Sequence, residues 1–121
     1  MRRFRRGTAL AAVALGSLVV AVAALGSSSK TAVTVTAGKP SELKFTLSKK
    51  SARKGVVSFA LTNKGALAHD FKISGKKTKQ LKAGAKTTLT VTFAKPGKYQ
   101  FLCTVKGHAA GGMKGTFTVT K

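Results

Sequence analysis

The chain has 121 residues and a formal net charge of +21, because 23 lysines and arginines accompany only two acidic side chains. After an N-terminal targeting segment, residues 27–121 have the size of one small domain, which excludes a second domain. The single cysteine excludes an internal disulfide.

The N-terminal segment, residues 1–26, has the composition of an export signal. Four arginines at positions 2, 3, 5 and 6 precede an apolar run from Thr8 to Leu25, and serines follow. The run also approaches the roughly 17 residues at which a helix begins to span a bilayer. The sequence therefore predicts a signal peptide or an uncleaved anchor helix. Either one predicts an exported protein, in the periplasm or on the extracytoplasmic cell surface.

Past residue 30, β-branched and aromatic residues alternate with polar ones over short runs that end at glycine, proline, asparagine or lysine. The predicted strands, in chain order, are 31–37, 42–47, 56–63, 69–74, 86–93, 98–104 and 115–120. No stretch after residue 30 has sustained helical periodicity. Short strands with frequent turns predict an all-β fold, a Greek-key antiparallel β-sandwich spanning residues 27–121.

The last predicted turn contains an unusual set of side chains. Cys103 ends a strand in which Tyr99 and Phe101 share its face, and the spacing to the next two residues is C-x4-H-x4-M through His108 and Met113. Small residues fill the gaps, so the loop can curl tightly. An exported thiol without a disulfide partner needs another role, such as an intermolecular disulfide or a metal. A thiolate, an imidazole and a thioether together form a ligand set for copper that lacks one imidazole.

The only other histidine, His69, begins the predicted strand "HDFKIS". If the turn before it lies at the same end of the sandwich as residues 104–113, His69 completes a His2Cys site with Met113 as a weak axial ligand. That is the blue-copper arrangement. Zinc is the alternative metal, but it favours four strong ligands, and Asp70 is the only acidic residue near these ligands in the sequence.

The segments "GALAHDF" and "YQFLCTVKGHAAGGMKG" resemble the cupredoxin family of type 1 blue-copper proteins, and the resemblance extends over nearly the whole of residues 27–121. It implies one type 1 copper ion with His69, Cys103, His108 and Met113 as its ligands. Where the family often has asparagine after the first histidine, this chain has Asp70. The resemblance therefore implies a contact between Asp70 and Thr104 in place of the usual asparagine contact.

The function implied by this site is that of an exported electron carrier that shuttles one electron through Cu(I) and Cu(II), and not that of an enzyme. Both histidines are already used, so no second copper site can form. The expected docking patch around His108 consists of Leu67, Ala68, Ala109 and Ala110. Its basic surroundings predict transient docking to an acidic redox protein, such as a cytochrome or an oxidase subunit. We expect a monomer.

Two other functions stay open on the sequence. A copper-binding chaperone or storage protein could use the same ligands, although it would favour several methionines. A cationic interaction module could bind anionic polymers, an anionic membrane or a cell-wall surface. Specific nucleic-acid binding is not expected, because the basic residues are scattered and lack interleaved aromatic residues.

Overall fold

The computed structural model describes residues 30–121, so the signal or anchor predicted for residues 1–26 lies outside the described residues. Residues 30–121 form nine β-strands: β1 Lys30–Ala37, β2 Phe45–Leu47, β3 Ser51–Arg53, β4 Gly55–Asn63, β5 Lys72–Ile73, β6 Lys76–Lys77, β7 Lys86–Phe93, β8 Gly97–Leu102 and β9 Lys114–Thr120. Within this range no helix is long and apolar enough to cross a membrane.

The nine strands form two sheets that enclose the core. One sheet has the order β2-β1-β4-β7 and the other has the order β3-β9-β8-β5-β6. The predicted all-β sandwich is confirmed, and most of its strand pairs are antiparallel. Two pairs are parallel, β1 with β4 and β3 with β9. Side chains alternate between the two faces of a strand whichever way its neighbour runs, so the sequence pattern could not reveal these two pairs.

Alternation along the strands builds the core between the sheets. In β4, Val57, Phe59 and Leu61 are buried while the residues between them face outward. The Phe59 ring centroid lies 5.2 Å from that of Phe71 and 5.3 Å from that of Phe117. Since β4 belongs to one sheet and β9, which carries Phe117, to the other, these aromatic contacts join the two sheets.

Three connecting segments meet at one end of the sandwich. Residues 38–44 follow β1, residues 64–71 join β4 to β5, and residues 103–113 join β8 to β9. The parallel strands β1 and β4 end side by side at Ala37 and Asn63. In the other sheet, Leu102 pairs with both Lys72 and Lys114. The predicted ligand residues therefore collect at this end, and the turn before His69 lies beside residues 103–113 as expected.

Three strands differ from the prediction at their ends. The strand expected at 98–104 ends at Leu102, so Cys103 lies just beyond β8 and not at the end of a strand, because the backbone N of Cys103 donates to Met113 O and closes the following loop. The strand expected at 42–47 covers only Phe45–Leu47, because residues 38–44 form a turn that is closed by a hydrogen bond from Gly38 N to Lys44 O at 2.9 Å. The strand expected at 69–74 covers only Lys72–Ile73. Its first residue, His69, instead forms a single bridge with Leu81.

Candidate metal centre

Three ligand atoms converge at the end of the sandwich where the connecting segments meet. His69 Nδ1 lies 4.0 Å from Cys103 Sγ, and His108 Nδ1 lies 3.6 Å from the same sulfur. The two Nδ1 atoms are 3.2 Å apart. Among residues 30–121 these three side chains are the one group of histidine, cysteine or acidic residues arranged to hold a metal ion. The predicted convergence of His69 with Cys103 and His108 is therefore present.

Backbone hydrogen bonds fix each of these residues. His69 exchanges two hydrogen bonds with Leu81, at 3.1 and 2.8 Å. Cys103 N donates to Met113 O at 3.1 Å, and Met113 N donates to His108 O at 3.0 Å. The hydrogen bond between Cys103 and Met113 thus joins the two ends of the loop, and the one between Met113 and His108 holds its second half. Met113 is fully buried at the close of this loop, next in the chain to β9.

The sequence "KGHAAGGMK" allows the loop to pack closely against residues 38–44. A Cβ atom on Gly111 would lie only 2.6 Å from Leu43 Cδ1, so a larger residue would require the Leu43 side chain to shift. Leu43 is half-buried and packs against the core. The small residues therefore allow residues 103–113 both to curl and to pack against Leu43.

Asp70 and Thr104 are in contact, as the resemblance implied. Thr104 donates to the Asp70 carboxylate from its backbone N at 2.6 Å and from its hydroxyl at 2.5 Å. The backbone N of Asp70 donates to Cys103 Sγ at 3.5 Å. Asp70 is fully buried, and the Lys77 Nζ atom approaches its carboxylate to 3.8 Å. The pair therefore joins the segment that carries His69 to the residue that follows Cys103.

Glu42 also belongs to the site, although the sequence predicts it only as the first residue of the strand at 42–47. Its Oε1 atom lies 3.2 Å from His69 Nε2, and it accepts a hydrogen bond from Leu67 N at 2.6 Å. Its other oxygen accepts from Ala66 N at 3.0 Å. The scarcity of acidic residues was the available signal, because both acidic residues of the chain, Glu42 and Asp70, lie beside the proposed ligands.

Burial shifts the pKa of two of the ligand residues, Cys103 and His108. It raises the pKa of the Cys103 thiol, and this effect outweighs the opposing hydrogen bonds from the backbone of Asp70 and Val105. It also lowers the pKa of His108, with a further lowering from the nearby His69. Backbone donors at Leu67 and Ala66 lower the pKa of Glu42. At neutral pH the metal-free site therefore holds a protonated thiol, a neutral His108 imidazole and an ionised Glu42.

The predicted docking patch lies on two segments at this end of the sandwich. Leu67, on residues 64–71, has 51% of its surface exposed, more than any other large hydrophobic side chain in residues 30–121. Ala68 and Ala109 are half-buried, and Ala110 is exposed. Between the two segments, the rings of His69 and His108 lie with their centroids 5.0 Å apart. His69 is fully buried, whereas His108 is half-buried.

Comparison with known proteins supports this description of the fold. The family model of the cupredoxin-like domain matches residues 9–119. Auracyanin-B of Chloroflexus aurantiacus is 46% identical over 43 residues, which cover 36% of this chain but only 18% of that protein.

Among solved structures, auracyanin B superposes with a TM-score of 0.68 at 24% identity, over 79% of this chain and 92% of that one. Auracyanin A, a "blue" copper protein from the same bacterium, gives a TM-score of 0.62 at 17% identity, over 76% of this chain and 100% of that one. Rusticyanin from Thiobacillus ferrooxidans gives a TM-score of 0.66 at 21% identity, over 78% of this chain and 79% of that one. These likenesses establish a common fold.

Proposed function

The chain belongs to the cupredoxin-like family, and from this premise we propose that it is an exported type 1 blue-copper electron carrier. The observation that carries the proposal is the triangle of His69 Nδ1, Cys103 Sγ and His108 Nδ1, with Met113 buried at the close of the same loop. The export signal predicted for residues 1–26 supports a location in the periplasm or at the extracytoplasmic surface.

The donor set suits copper. Metal bonds of about 2.0 Å to nitrogen and about 2.3 Å to sulfur, at trigonal to tetrahedral angles, separate neighbouring ligand atoms by about 3.3 to 3.7 Å. The three separations here, 3.2, 3.6 and 4.0 Å, bracket those values. Two imidazoles, one thiolate and a thioether are the blue-copper ligands, whereas zinc favours four strong donors. His69, Cys103 and His108 would hold the ion, with Met113 as the weak ligand.

The bound copper would supply a one-electron redox couple, and the protein would hold the ligand side chains in fixed positions. Cys103 and His108 are each tied to Met113 by a backbone hydrogen bond. The donor from Asp70 N reaches the same sulfur that would bind the ion. Ligands held in this way need little rearrangement when the charge at the site changes, which favours electron transfer.

His108 is the proposed exit for the electron, because it is the more exposed of the two imidazoles. Five exposed lysines lie on the three connecting segments at this end or contact them: Lys39, Lys44, Lys64, Lys77 and Lys106. An apolar patch with cations around it favours a weak, transient complex with an acidic redox protein, such as a cytochrome or an oxidase subunit. The chain would act as a monomer in this exchange.

An enzymatic role is not part of the proposal. Within residues 30–121 no second group of metal-binding side chains accompanies the one described, and no pocket of ligand size is present. A copper chaperone or storage protein is the alternative use of the same ligands. The full burial of Cys103 and Met113 favours the carrier, because a protein that hands over its metal needs accessible ligands.

The test is an absorption spectrum of the domain with one equivalent of Cu(II), followed by a redox titration. We expect a strong blue charge-transfer band from thiolate to copper and reversible one-electron behaviour. A copper-loaded protein without the blue band would contradict the carrier and favour the chaperone or storage role.

Docking can be tested with two small oxidants of opposite charge, hexacyanoferrate(III) and tris(phenanthroline)cobalt(III). Oxidation of the reduced protein by the anion should slow at least about ten-fold between about 10 mM and about 0.5 M salt, because screening removes the attraction. Oxidation by the cation should become faster. Stopped-flow absorbance at the blue band measures both rates.

A matched pair of variants tests whether the attraction of the anionic oxidant depends on charges near His108. Lys106→Glu changes the charge on the His108 loop, whereas Lys98→Glu makes the same change in β8, near the opposite end of the sandwich. The first variant should slow the reaction with the anion more than the second. Equal slowing in both would mean that overall charge, and not a docking face at His108, controls the encounter.

A further inference from the structure

We propose that Glu42 is a positioning residue that fixes the orientation and tautomer of His69 and links this ligand to the exposed Leu67. The effect of Glu42 on metal binding rests on the proposed function. The link between Glu42 and His69 stands independently of the metal, since it follows from contacts within the chain.

The Glu42 carboxylate lies at the centre of the turn that precedes His69. One oxygen accepts from Leu67 N at 2.6 Å and contacts His69 Nε2 at 3.2 Å. The other accepts from Ala66 N at 3.0 Å. The side chain is only 33% exposed, and the His69 ring is fully buried. A single carboxylate thus binds two backbone amides of the turn and the imidazole that the turn leads into.

This contact determines which nitrogen of His69 carries the proton. An ionised carboxylate can only accept hydrogen bonds, so the Nε2 atom that faces it must be the donor. The lone pair of the neutral ring is then on Nδ1, which is the atom that faces Cys103 Sγ and His108 Nδ1. A carboxylate behind a metal-binding histidine acts in the same way in other metal sites, where its loss weakens metal binding.

Gly65 provides the space that this arrangement needs. A Cβ atom at position 65 would lie 2.6 and 2.8 Å from the two Glu42 carboxylate oxygens. Any larger residue would therefore push the carboxylate away from His69. Gly65 N is itself held by a hydrogen bond to Asn63 Oδ1 at 2.8 Å, which keeps the turn in place from its other side.

The same oxygen atom contacts the amide of Leu67 and the ring of His69. Leu67 is the most exposed large hydrophobic residue in the described range, and it belongs to the proposed docking patch. A partner that displaces Leu67 would therefore act on the hydrogen bond of His69 through one shared acceptor. Glu42 connects the docking surface to a metal ligand without touching the metal.

The first experiment uses the metal-free protein, with ring nitrogen NMR shifts as the readout for His69. The wild-type ring should be a single tautomer with its proton on Nε2, whereas Glu42→Gln and Glu42→Ala should give a mixture or the other tautomer. Amide hydrogen exchange at Ala66 and Leu67 should be at least about ten-fold faster in both variants, since each amide loses its charged acceptor.

The second experiment measures Cu(II) dissociation from the same variants, which should be about 10-fold to 100-fold faster than from the wild type. Thr92→Lys is the control, because it also raises the net charge by one unit, at an exposed position in β7 near the opposite end of the sandwich. Gly65→Ala should reproduce the Glu42 variants, since it displaces the carboxylate without removing it.

An unchanged His69 tautomer and unchanged copper dissociation in Glu42→Ala would overturn the proposal. So would a Thr92→Lys control that loses copper as fast as the Glu42 variants. The NMR result does not depend on copper, so failure of the blue-copper function would leave the link between Glu42 and His69 intact. Conversely, a blue protein with an unaltered tautomer in Glu42→Ala would refute only the positioning role.

Discussion

Replacing Cys103 by serine should abolish the blue band of the copper-loaded protein completely. The band requires charge transfer from a thiolate, and Cys103 is the only cysteine in the chain. Its sulfur is one corner of the ligand triangle, so the variant should also bind Cu(II) at least about 100-fold more weakly, as a thiolate far exceeds a neutral hydroxyl as a ligand. Absorption spectra and competition with a copper chelator measure the two effects.

The pH dependence of copper binding gives a second measure of the same residue. Burial raises the pKa of the Cys103 thiol, so copper must displace a proton at neutral pH. The apparent affinity of the wild type should therefore rise about ten-fold per pH unit while the thiol stays protonated. The pKa of His108 is lowered, so this imidazole adds no proton release in that range. Cys103→Ser should show almost no slope.

A contrary result would be informative about the alternative functions. If Cys103→Ser loses its colour but still binds anionic polymers and still performs its role in the cell, the cationic module is the correct function. A slope near zero in the wild type would mean that the thiol does not bind the ion as a thiolate.

Replacing Asn63 by alanine should lower the free energy of unfolding by about 3 kcal/mol, as buried polar groups lose their partners. Asn63 is fully buried at the end of β4, and its Nδ2 donates to Leu67 O and Leu81 O, both at 2.8 Å. Its Oδ1 accepts from Gly65 N. Since Leu81 also pairs with His69, copper should dissociate faster as well. Denaturant unfolding of the metal-free protein measures the first effect.

The control for this variant is Thr88→Ala in β7, which removes an exposed side chain and should change the free energy of unfolding by at most about 0.5 kcal/mol. Asn63→Asp keeps the acceptor but loses the donor, so it should also be unstable. A loss below about 1 kcal/mol in Asn63→Ala would show that water replaces the missing hydrogen bonds.

The sequence predicted strands where apolar and polar residues alternate over at least six positions. β4 and β7 are confirmed almost to the residue. β3, with the sequence SAR, and β6, with the sequence KK, were missed because strands of two or three residues are too short to show an alternation of apolar and polar side chains. The predicted starts of β2 and β5 were wrong. Hydrogen bonds within the preceding turn and to Leu81, and not the alternation of apolar and polar residues, decide where these strands begin.

The ligand residues were predictable because few side chains bind a soft metal and this chain has few of them. Cys103, His108 and Met113 are close in sequence, and His69 was the only other histidine. Glu42 was not predictable in the same way. It lies 27 positions before His69, and only the meeting of residues 38–44 with residues 64–71 brings it to the imidazole.

The orientation of the two acidic side chains also affects how two copies of the protein meet. Glu42 and Asp70 both contact the proposed ligand residues or their neighbours; Asp70 is fully buried and the Glu42 side chain is only one-third exposed. The outer surface of residues 30–121 therefore presents many exposed cationic side chains and, of the acidic ones, only the partly exposed Glu42. Two copies that approach through their His108 ends repel each other, so electron self-exchange should be slow at low ionic strength. Under the proposed function, this repulsion would disfavour a relay of identical molecules relative to transfer to a partner of opposite charge.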